Sequence, residues 1–461
     1  MNHTKTTLAA AMLLASVPSM AEDVPAVVAP SEYTFVDSVK TGQPMTSFRL
    51  RYEYVDQDGN GAAPSANLPL KNANAFTLRS LIGWQTAPFH NFSIAAQLIN
   101  VSKLDDDFND KDRGYNQPGK TDYPVVADPD NTDINQLYLD WTGISNTKVR
   151  LGRQSLKLDN VRFIGNVEYR QVMQVYDGVS VENKSIPDTE IYLAHYERVK
   201  QITTKLRNGD LDIAHAVYRF TPSESLTAYG YFQGMKHNGQ NITSTPTSTT
   251  ITGTGFTDNS NRVLGLRLDG VHQINSDWKA IYTAEYAKQN DYKGGNAFID
   301  AHYWKLGGGA GYGAWFARLD RELLSSNTVN GVAKYGFQTP FGTNHLFQGW
   351  ADLFLITPKE GIKDTFITAG GKFMDVNLLA EYHWLDSDKD FRTGAGTVGN
   401  QYGKELDFSA AYAYNKQISG KVEYAQFHEV DCYVGSGACT NTNTSRKRDT
   451  EKVWLTMMYT F

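Results

Sequence analysis

The chain has 461 residues, 44 basic against 50 acidic, and a formal net charge of -6. That balance speaks against a nucleic-acid partner, and a mean hydropathy of -0.45 with no second long apolar run after the first residues excludes a bundle of membrane-spanning helices. Two cysteines are too few for a disulfide framework, while 26 Tyr, 22 Phe and 8 Trp give the aromatic supply that a membrane β-barrel needs for its interfacial girdles.

In chain order, the first element reads as a secretory signal over residues 1–21. Lys5 supplies the positive end, Leu8 to Val17 the short apolar core, and Ser19-Met20-Ala21 the small-x-small cleavage site, so that the exported chain begins at Glu22. Residues 22–44 read as a periplasmic N-terminal segment and 45–461 as the barrel. The first strand is Phe48-Arg49-Leu50-Arg51-Tyr52-Glu53-Tyr54: one face carries Phe, Leu and two Tyr, the other two Arg and a Glu. Just after it, Asp56-Gln57-Asp58-Gly59-Asn60-Gly61 matches the start of a calcium loop. The bidentate Glu expected at the twelfth position is replaced by Asn67, so a polar rim turn is the simpler reading. Alternating segments recur near 74–85, 91–102, 133–142, 147–154, 174–184, 189–200, 209–220 and 225–234, then near 262–272, 277–289, 298–308, 314–323, 363–370, 375–386, 403–414, 419–428 and 451–461. That makes an all-β, antiparallel transmembrane barrel of about eighteen strands.

The connections support it by parity. Those after even-numbered strands are short, such as 143–146 and 371–374; those after odd-numbered strands are mostly long, such as 103–132, 155–173, 235–261, 324–362 and 430–450. Short periplasmic turns opposite long external loops are what outer-membrane barrels show. Within the second external loop, the acidic run Asp105-Asp106-Asp107 with Asn109, Asp110 and Asp112 suits a solvated face or divalent cations bridging lipopolysaccharide. In the ninth, Cys432 and Cys439 lie close enough in sequence to close a small loop in an oxidising compartment. The last segment alternates Val453, Leu455, Met457, Tyr459 and Phe461 against Lys452, Thr456 and Thr460.

With the apolar face toward lipid, the polar face lines a lumen. That set comprises Arg49, Arg51, Glu53, Arg79, Lys148, Arg150, Arg219, Arg267, Lys279, Glu285, Arg318, Glu381, Glu405, Asp407 and Glu423. Early strands contribute mostly cations and late strands mostly carboxylates, which sets a field across the pore that biases ion passage; local pairing along the wall is the plainer alternative. The third external loop, from Gly152-Arg153-Gln154 through Arg162-Phe163-Ile164-Gly165 to Tyr169-Arg170-Gln171, is rich in Arg and aromatic residues. It reads as a loop folded into the barrel, with Arg162 and Arg170 in the channel, where guanidinium groups favour carboxylates.

Gly152-Arg153-Gln154, Arg162-Phe163-Ile164-Gly165 and Asp177-Gly178 resemble the alginate-export family of outer-membrane porins. So do Ala284-Glu285-Tyr286-Ala287, Phe337-Gln338-Thr339-Pro340, Tyr382-His383 and Tyr402 to Asp407, and above all the run from Phe347-Gln348-Gly349-Trp350-Ala351-Asp352 to Pro358. The resemblance implies a monomeric eighteen-stranded barrel; outer-membrane lipid and lipopolysaccharide are its expected surroundings, and no cofactor is expected. It makes Arg153, Arg162, Arg170 and Asp177 candidates for the constriction and gives Trp350 and Asp352 a structural place in the seventh external loop. The family's exporter resembles a gated pore with a long eighth periplasmic turn acting as a plug and an electropositive constriction for a uronate polymer. Here that turn, Asn415 to Ile418, is short, which favours a porin for small hydrophilic, anionic solutes over an exporter of alginate or a related acidic polysaccharide. A barrel hydrolase is the competing class, but the ten histidines are scattered and no nucleophile motif accompanies them.

Overall fold

The structure is a computed structural model that describes residues 33–59, 69–110, 120–234, 258–393, 396–434 and 446–461. The expected signal over 1–21, Asn60 to Asn67 of the calcium-like segment, Asp112 and Cys439 lie outside the described residues. Cys432 is held in a disulfide.

Eighteen antiparallel strands form one closed barrel. They are β1 (Ser47–Gln57), β2 (Ala73–Gln85), β3 (Phe92–Asp107), β4 (Asn131–Ile144), β5 (Thr147–Gln154), β6 (Val175–Asn183), β7 (Thr189–Lys200), β8 (Leu206–Thr221) and β9 (Glu224–Gly234), followed by β10 (Asn261–Gln273), β11 (Trp278–Asp291), β12 (Asp300–Tyr312), β13 (Trp315–Leu324), β14 (Ile362–Phe373), β15 (Val376–Arg392), β16 (Val398–Ala413), β17 (Ile418–Glu429) and β18 (Thr450–Thr460). Each pairs with its neighbours in sequence, and β1 closes on β18 in a ladder running from Ser47 opposite Thr460 to Gln57 opposite Thr450. The strand backbones are therefore paired around the whole circumference, apart from local bulges such as those at Gln97/Leu98 and Tyr196/Arg198, as a bilayer core demands. All eighteen segments expected from alternation are present, with ends shifted by a few residues.

Two short elements precede the barrel. A helix, Phe35–Lys40, is capped by Thr34, whose hydroxyl accepts from the Asp37 amide while the Asp37 carboxylate accepts from the Thr34 amide. Gln43–Pro44 then forms a brief ladder against Gln85 and Trp84.

The turns at the end where the ladder begins are tight. Met374 and Asp375 both have positive φ, 46° and 71°, as a two-residue hairpin whose twist matches its strands requires. Around that end, exposed aromatic residues form a girdle, among them Trp84, Tyr218, Trp278, Tyr312, Trp315, Tyr412 and Phe461. Above it the outer face is apolar, with Leu98, Leu151, Leu193, Leu264, Leu306 and Leu319 exposed.

The interior inverts the pattern of a soluble protein: charged residues are buried. Along β1, Arg49, Arg51, Glu53 and Val55 are buried, and Leu50, Tyr52 and Tyr54 are not. What buries them is two inward-folded connections, loop 3 (155–174) and loop 7 (325–361). Leu156, Leu158, Phe163 and Ile164 of loop 3 pack with Tyr176, Tyr196, Tyr229, Tyr231 and Tyr303 of the wall and with Phe337 and Phe341 of loop 7. On the other side, Trp350, Ala351 and Phe354 of loop 7 pack with Ile362, Leu385, Phe391, Tyr402, Phe427 and Trp454. A small hairpin, Ser326–Val329 with Val332–Gly336, opens loop 7.

Candidate constriction

The two inward loops meet in the middle of the barrel, and the contact is electrostatic. Arg170 of loop 3 reaches Glu53 of β1 at 2.9 Å with Nη1 and Asp352 of loop 7 at 2.7 Å with Nη2. Asp128 of loop 2 (108–130) lies 3.8 Å from Nη1. Asp352 in turn is 3.0 Å from Lys452 of β18 and 2.7 Å from His345 Nδ1. All of these groups are buried, and burial is sustainable for ion pairs only when the remaining donors and acceptors are met.

Arg49 and Arg51 hold the backbone of loop 3. Arg49 donates through Nε to Gln171 Oε1 at 2.9 Å, through Nη1 to the Glu168 carbonyl at 2.7 Å and through Nη2 to the Arg170 carbonyl at 2.5 Å. Arg51 donates to the Tyr169 carbonyl and lies 4.1 Å over the Tyr169 ring. Arg79, directly across the ladder from Arg49, is fully buried. None of its three guanidinium nitrogens has a hydrogen-bond partner among the described residues, and its nearest carboxylate, Glu168, stands at 3.8 Å.

At the far end of loop 3, Arg162 crosses the lumen to Glu322 of β13 at 3.0 Å and donates to Gln348 of loop 7 at 3.1 Å. Its guanidinium lies 4.5 Å from the Phe347 ring. Glu405 and Asp407 of β16 accept the loop 7 amides of Ala351 and Trp350, at 2.5 and 3.3 Å. This close approach depends on Gly349 at φ 83°, where a Cβ would collide with the Glu405 carboxylate.

Other interior charges pair along the wall. Arg150 chelates Asp140 at 2.6 and 2.8 Å and covers the Tyr138 ring. Glu285 accepts from Tyr229 at 2.8 Å and from Arg267 at 3.0 Å. Lys148 meets Glu182, Arg219 meets Glu190, Arg318 meets Asp320 and Lys421 meets Glu423.

Arg153 and Asp177 stand elsewhere. Arg150 and Gln154 face the interior, so Arg153 shares the opposite face of β5 with Leu151, and on β6 Asp177 alternates against buried Tyr176. Arg153 donates to Asp177 at 2.7 and 3.0 Å, and Asp177 also accepts from exposed Arg198, on the outer side of the barrel wall. Residues three apart on one strand cannot both face inward without a bulge between them, which is why Arg150 and Arg153 part company. Motif likeness alone did not carry that information. Asp128 and His345 carry no signal in the sequence, and nothing local there pairs Tyr169 with Arg51, Gln348 with Arg162 or Lys452 with Asp352, partners 100 to 186 positions apart.

The acidic run Asp105-Asp106-Asp107 is exposed, and Lys120 bonds Asp106 at 2.9 Å and Asp107 at 3.3 Å. The described residues enclose cavities inside the barrel toward the tight-turn end. One, of about 430 Å³, is lined by Lys148, Arg150, Lys157 and Glu168 among others. Another, of about 240 Å³, is lined by Arg267, Lys305, Arg318, Glu322, Glu381 and His383 among others.

Loop 7 is also clamped from outside by loop 9 (430–449). Lys447 donates to the Leu353 carbonyl and lies 4.8 Å from the Phe354 ring. Burial pushes its ammonium down to about 8. A lysine depressed in the folded state carries a penalty while charged; the penalty is constant below about pH 8 and is relieved as pH rises toward the ordinary lysine value, about 10.4. Cleavage of loop 9 by a protease should therefore slow between pH 8 and 10, and Lys447→Met should abolish that dependence. An unchanged pH profile in the variant would count against the clamp.

The comparisons with known proteins agree on one answer. The family model for alginate export matches residues 45–320. The chain belongs to the alginate-export family. Solved structures of similar shape include the outer membrane protein OpdK of Pseudomonas aeruginosa. Acinetobacter baumannii OccAB2 is 14% identical with a TM-score of 0.64, covering 92% of this chain and 99% of its own. Pseudomonas aeruginosa OpdQ is 15% identical with a TM-score of 0.63, at the same coverage. P. aeruginosa OpdK, solved with vanillate, is 12% identical with a TM-score of 0.59, covering 90% and 97%. No curated relative matches the chain by sequence. This member of the alginate-export family is a β-barrel channel of the outer membrane.

Proposed function

We propose that this channel is a monomeric porin that passes small anionic solutes, carboxylates in particular, in preference to cations. The observation that carries the reading is the arginine group Arg49, Arg51 and Arg79 on facing strands, with the buried Arg79 guanidinium left without a hydrogen-bond acceptor. A desolvated guanidinium with unused donors is a strong carboxylate receptor. Two further features favour monomeric solutes over a polymer. The turn at 414–417 is tight and offers no plug, and the interior cavities, about 240 and 430 Å³, are of small-molecule size. Vanillate, the aromatic carboxylate of the OpdK structure, belongs to the same chemical class.

The test is the reversal potential of single channels in a potassium chloride gradient. The wild type should prefer chloride, and Arg79→Gln should bring the preference several-fold toward neutrality while leaving the barrel folded by gel mobility. A cation-preferring wild type would overturn the reading. Block of chloride current by benzoate-like carboxylates but not by the matching amides would identify the solute class.

A further inference from the structure

A few strands round the wall from the arginines, β14, β15 and β16 bring four carboxylates around one imidazole. Glu381 stands directly across the ladder from Asp407, and His383 from Glu405. Like charges placed opposite one another destabilise a sheet unless something between them compensates. Asp364 sits one strand away on the other side of His383 and is 2.9 Å from its Nδ1. All five groups lie in the interior, where the nearest cations are engaged elsewhere: Lys305 faces Asp320 at 3.8 Å, Lys421 bonds Glu423 and Lys452 bonds Asp352.

His383 decides what the cluster is for. The residue is 2% exposed. With Asp364 accepting from Nδ1, Nε2 is left as a lone-pair donor, and it is aimed at Asp407 Oδ2 at 3.6 Å and Glu381 Oε2 at 3.9 Å. Nε2 has no hydrogen-bond partner among the described residues, nor have Asp407 Oδ1 and Glu405 Oε2. A protonated Nε2 is in ion-pair range of both carboxylates but beyond hydrogen-bond reach of either, and an unprotonated one faces carboxylate oxygens. Neither state gives it a hydrogen bond.

We propose that Glu381, His383 and Asp407 form a binding site for a divalent transition-metal ion. One imidazole and two carboxylates are a donor set that zinc, manganese and iron accept. Their ligand atoms all lie within 4.8 Å of one another; metal bonds of about 2.0–2.1 Å place tetrahedral ligands about 3.3 Å apart, so closure needs shifts of only a few tenths of an ångström for the imidazole pairs. Each ligand is already oriented by an outer partner, as metal ligands are. Asp364 fixes the His383 ring, Thr368 Oγ1 donates to Glu381 Oε1 at 2.8 Å, and the Trp350 amide donates to Asp407 Oδ2. Glu381 and His383 line the smaller interior cavity, which supplies the entry path. Occupancy ties loop 7, through Trp350 and Asp407, to the wall and cancels part of the acidic side of the lumen, increasing anion preference.

The test uses untagged full-length protein in detergent, stripped with a chelator and titrated with zinc chloride by calorimetry. The expected result is one zinc per chain, lost in His383→Ala and Glu381→Gln, and weakened 10- to 100-fold in Asp364→Asn, whose side chain contacts the ligand and not the ion. The exposed Asp105–Asp107 trio is controlled by Asp106→Asn with Asp107→Asn, which should leave the tight site intact. Heat-modified gel mobility confirms that each variant is folded. Zinc binding of equal strength in wild type and His383→Ala, or binding that vanishes with the Asp106 and Asp107 changes, overturns the assignment. In bilayers, micromolar zinc should shift the wild-type reversal potential toward anions and leave that of His383→Ala unmoved.

Discussion

Replacing Phe163 by alanine should release loop 3 from the barrel wall and raise the open-channel conductance. Phe163 is the apolar anchor of that loop: its ring centroid lies 5.2 Å from Tyr229, 5.4 Å from Tyr303, and 6.0 Å from both Tyr231 and Phe337. Deleting a buried phenylalanine costs about 3–5 kcal/mol. Even the lower figure shifts the docked-to-undocked ratio of the loop by about a hundredfold. The barrel itself, held by strand ladders, should keep its heat-modified gel mobility. Single-channel traces should show larger, noisier openings, and Phe163→Leu should recover much of the quiet state. Wild-type conductance and noise in the alanine variant would mean that loop 3 is held by its ion pairs alone.

The second large effect is expected at Arg170. This one guanidinium joins β1 through Glu53 and loop 7 through Asp352, with Asp128 of loop 2 beside it. Removing it leaves Glu53 with Arg51 and Lys452 in range, Asp352 with Lys452 and His345, and Asp128 without its arginine. Breaking a buried pair in this way costs about 3–5 kcal/mol, since the partners stay buried without compensation. Arg170→Ala should loosen both loops together and move selectivity toward cations. Arg170→Lys should rescue only part of this, because an ammonium is a point charge and does not reproduce two directed forks. Thermal melting followed by gel mobility and reversal potentials checks both. Melting and selectivity equal to wild type would show that Lys452 and His345 suffice to hold Asp352.

Much of the barrel was legible because strand alternation is local. Phe48 to Tyr54 states its two faces in seven letters, and the same signal repeats eighteen times with loop lengths sorted by parity. The inward path of loop 3 was legible from composition, since Arg162, Phe163 and Arg170 are odd choices for a solvated loop. What local signals do not hold is pairing across the lumen. That Arg162 would meet Glu322, or Arg170 meet Asp352, depends on where two loops cross, and no spacing in the sequence encodes it. Arg153 and Asp177 show the opposite failing: their motif resembles the family's, yet strand parity, available in the sequence, puts them on the outer face. His383 was visible only as half of a Tyr-His motif; its meaning came from Asp364, Glu381 and Asp407 on three adjacent strands.

The ladder that joins β1 to β18 carries a consequence for how the barrel comes to exist. Its partners are on the order of 400 positions apart, so the most distant contact in the chain is also the one that seals the sheet. Until β18 arrives, β1 and the growing end each present a bare row of amides and carbonyls, the kind of edge on which chains stick to one another. Such non-local closure is slow, because its entropy is spent before any reward is collected. The strands before it can zip neighbour to neighbour, but the final seam has to be guarded while it waits, which makes an escort for the unsealed chain a requirement of this topology.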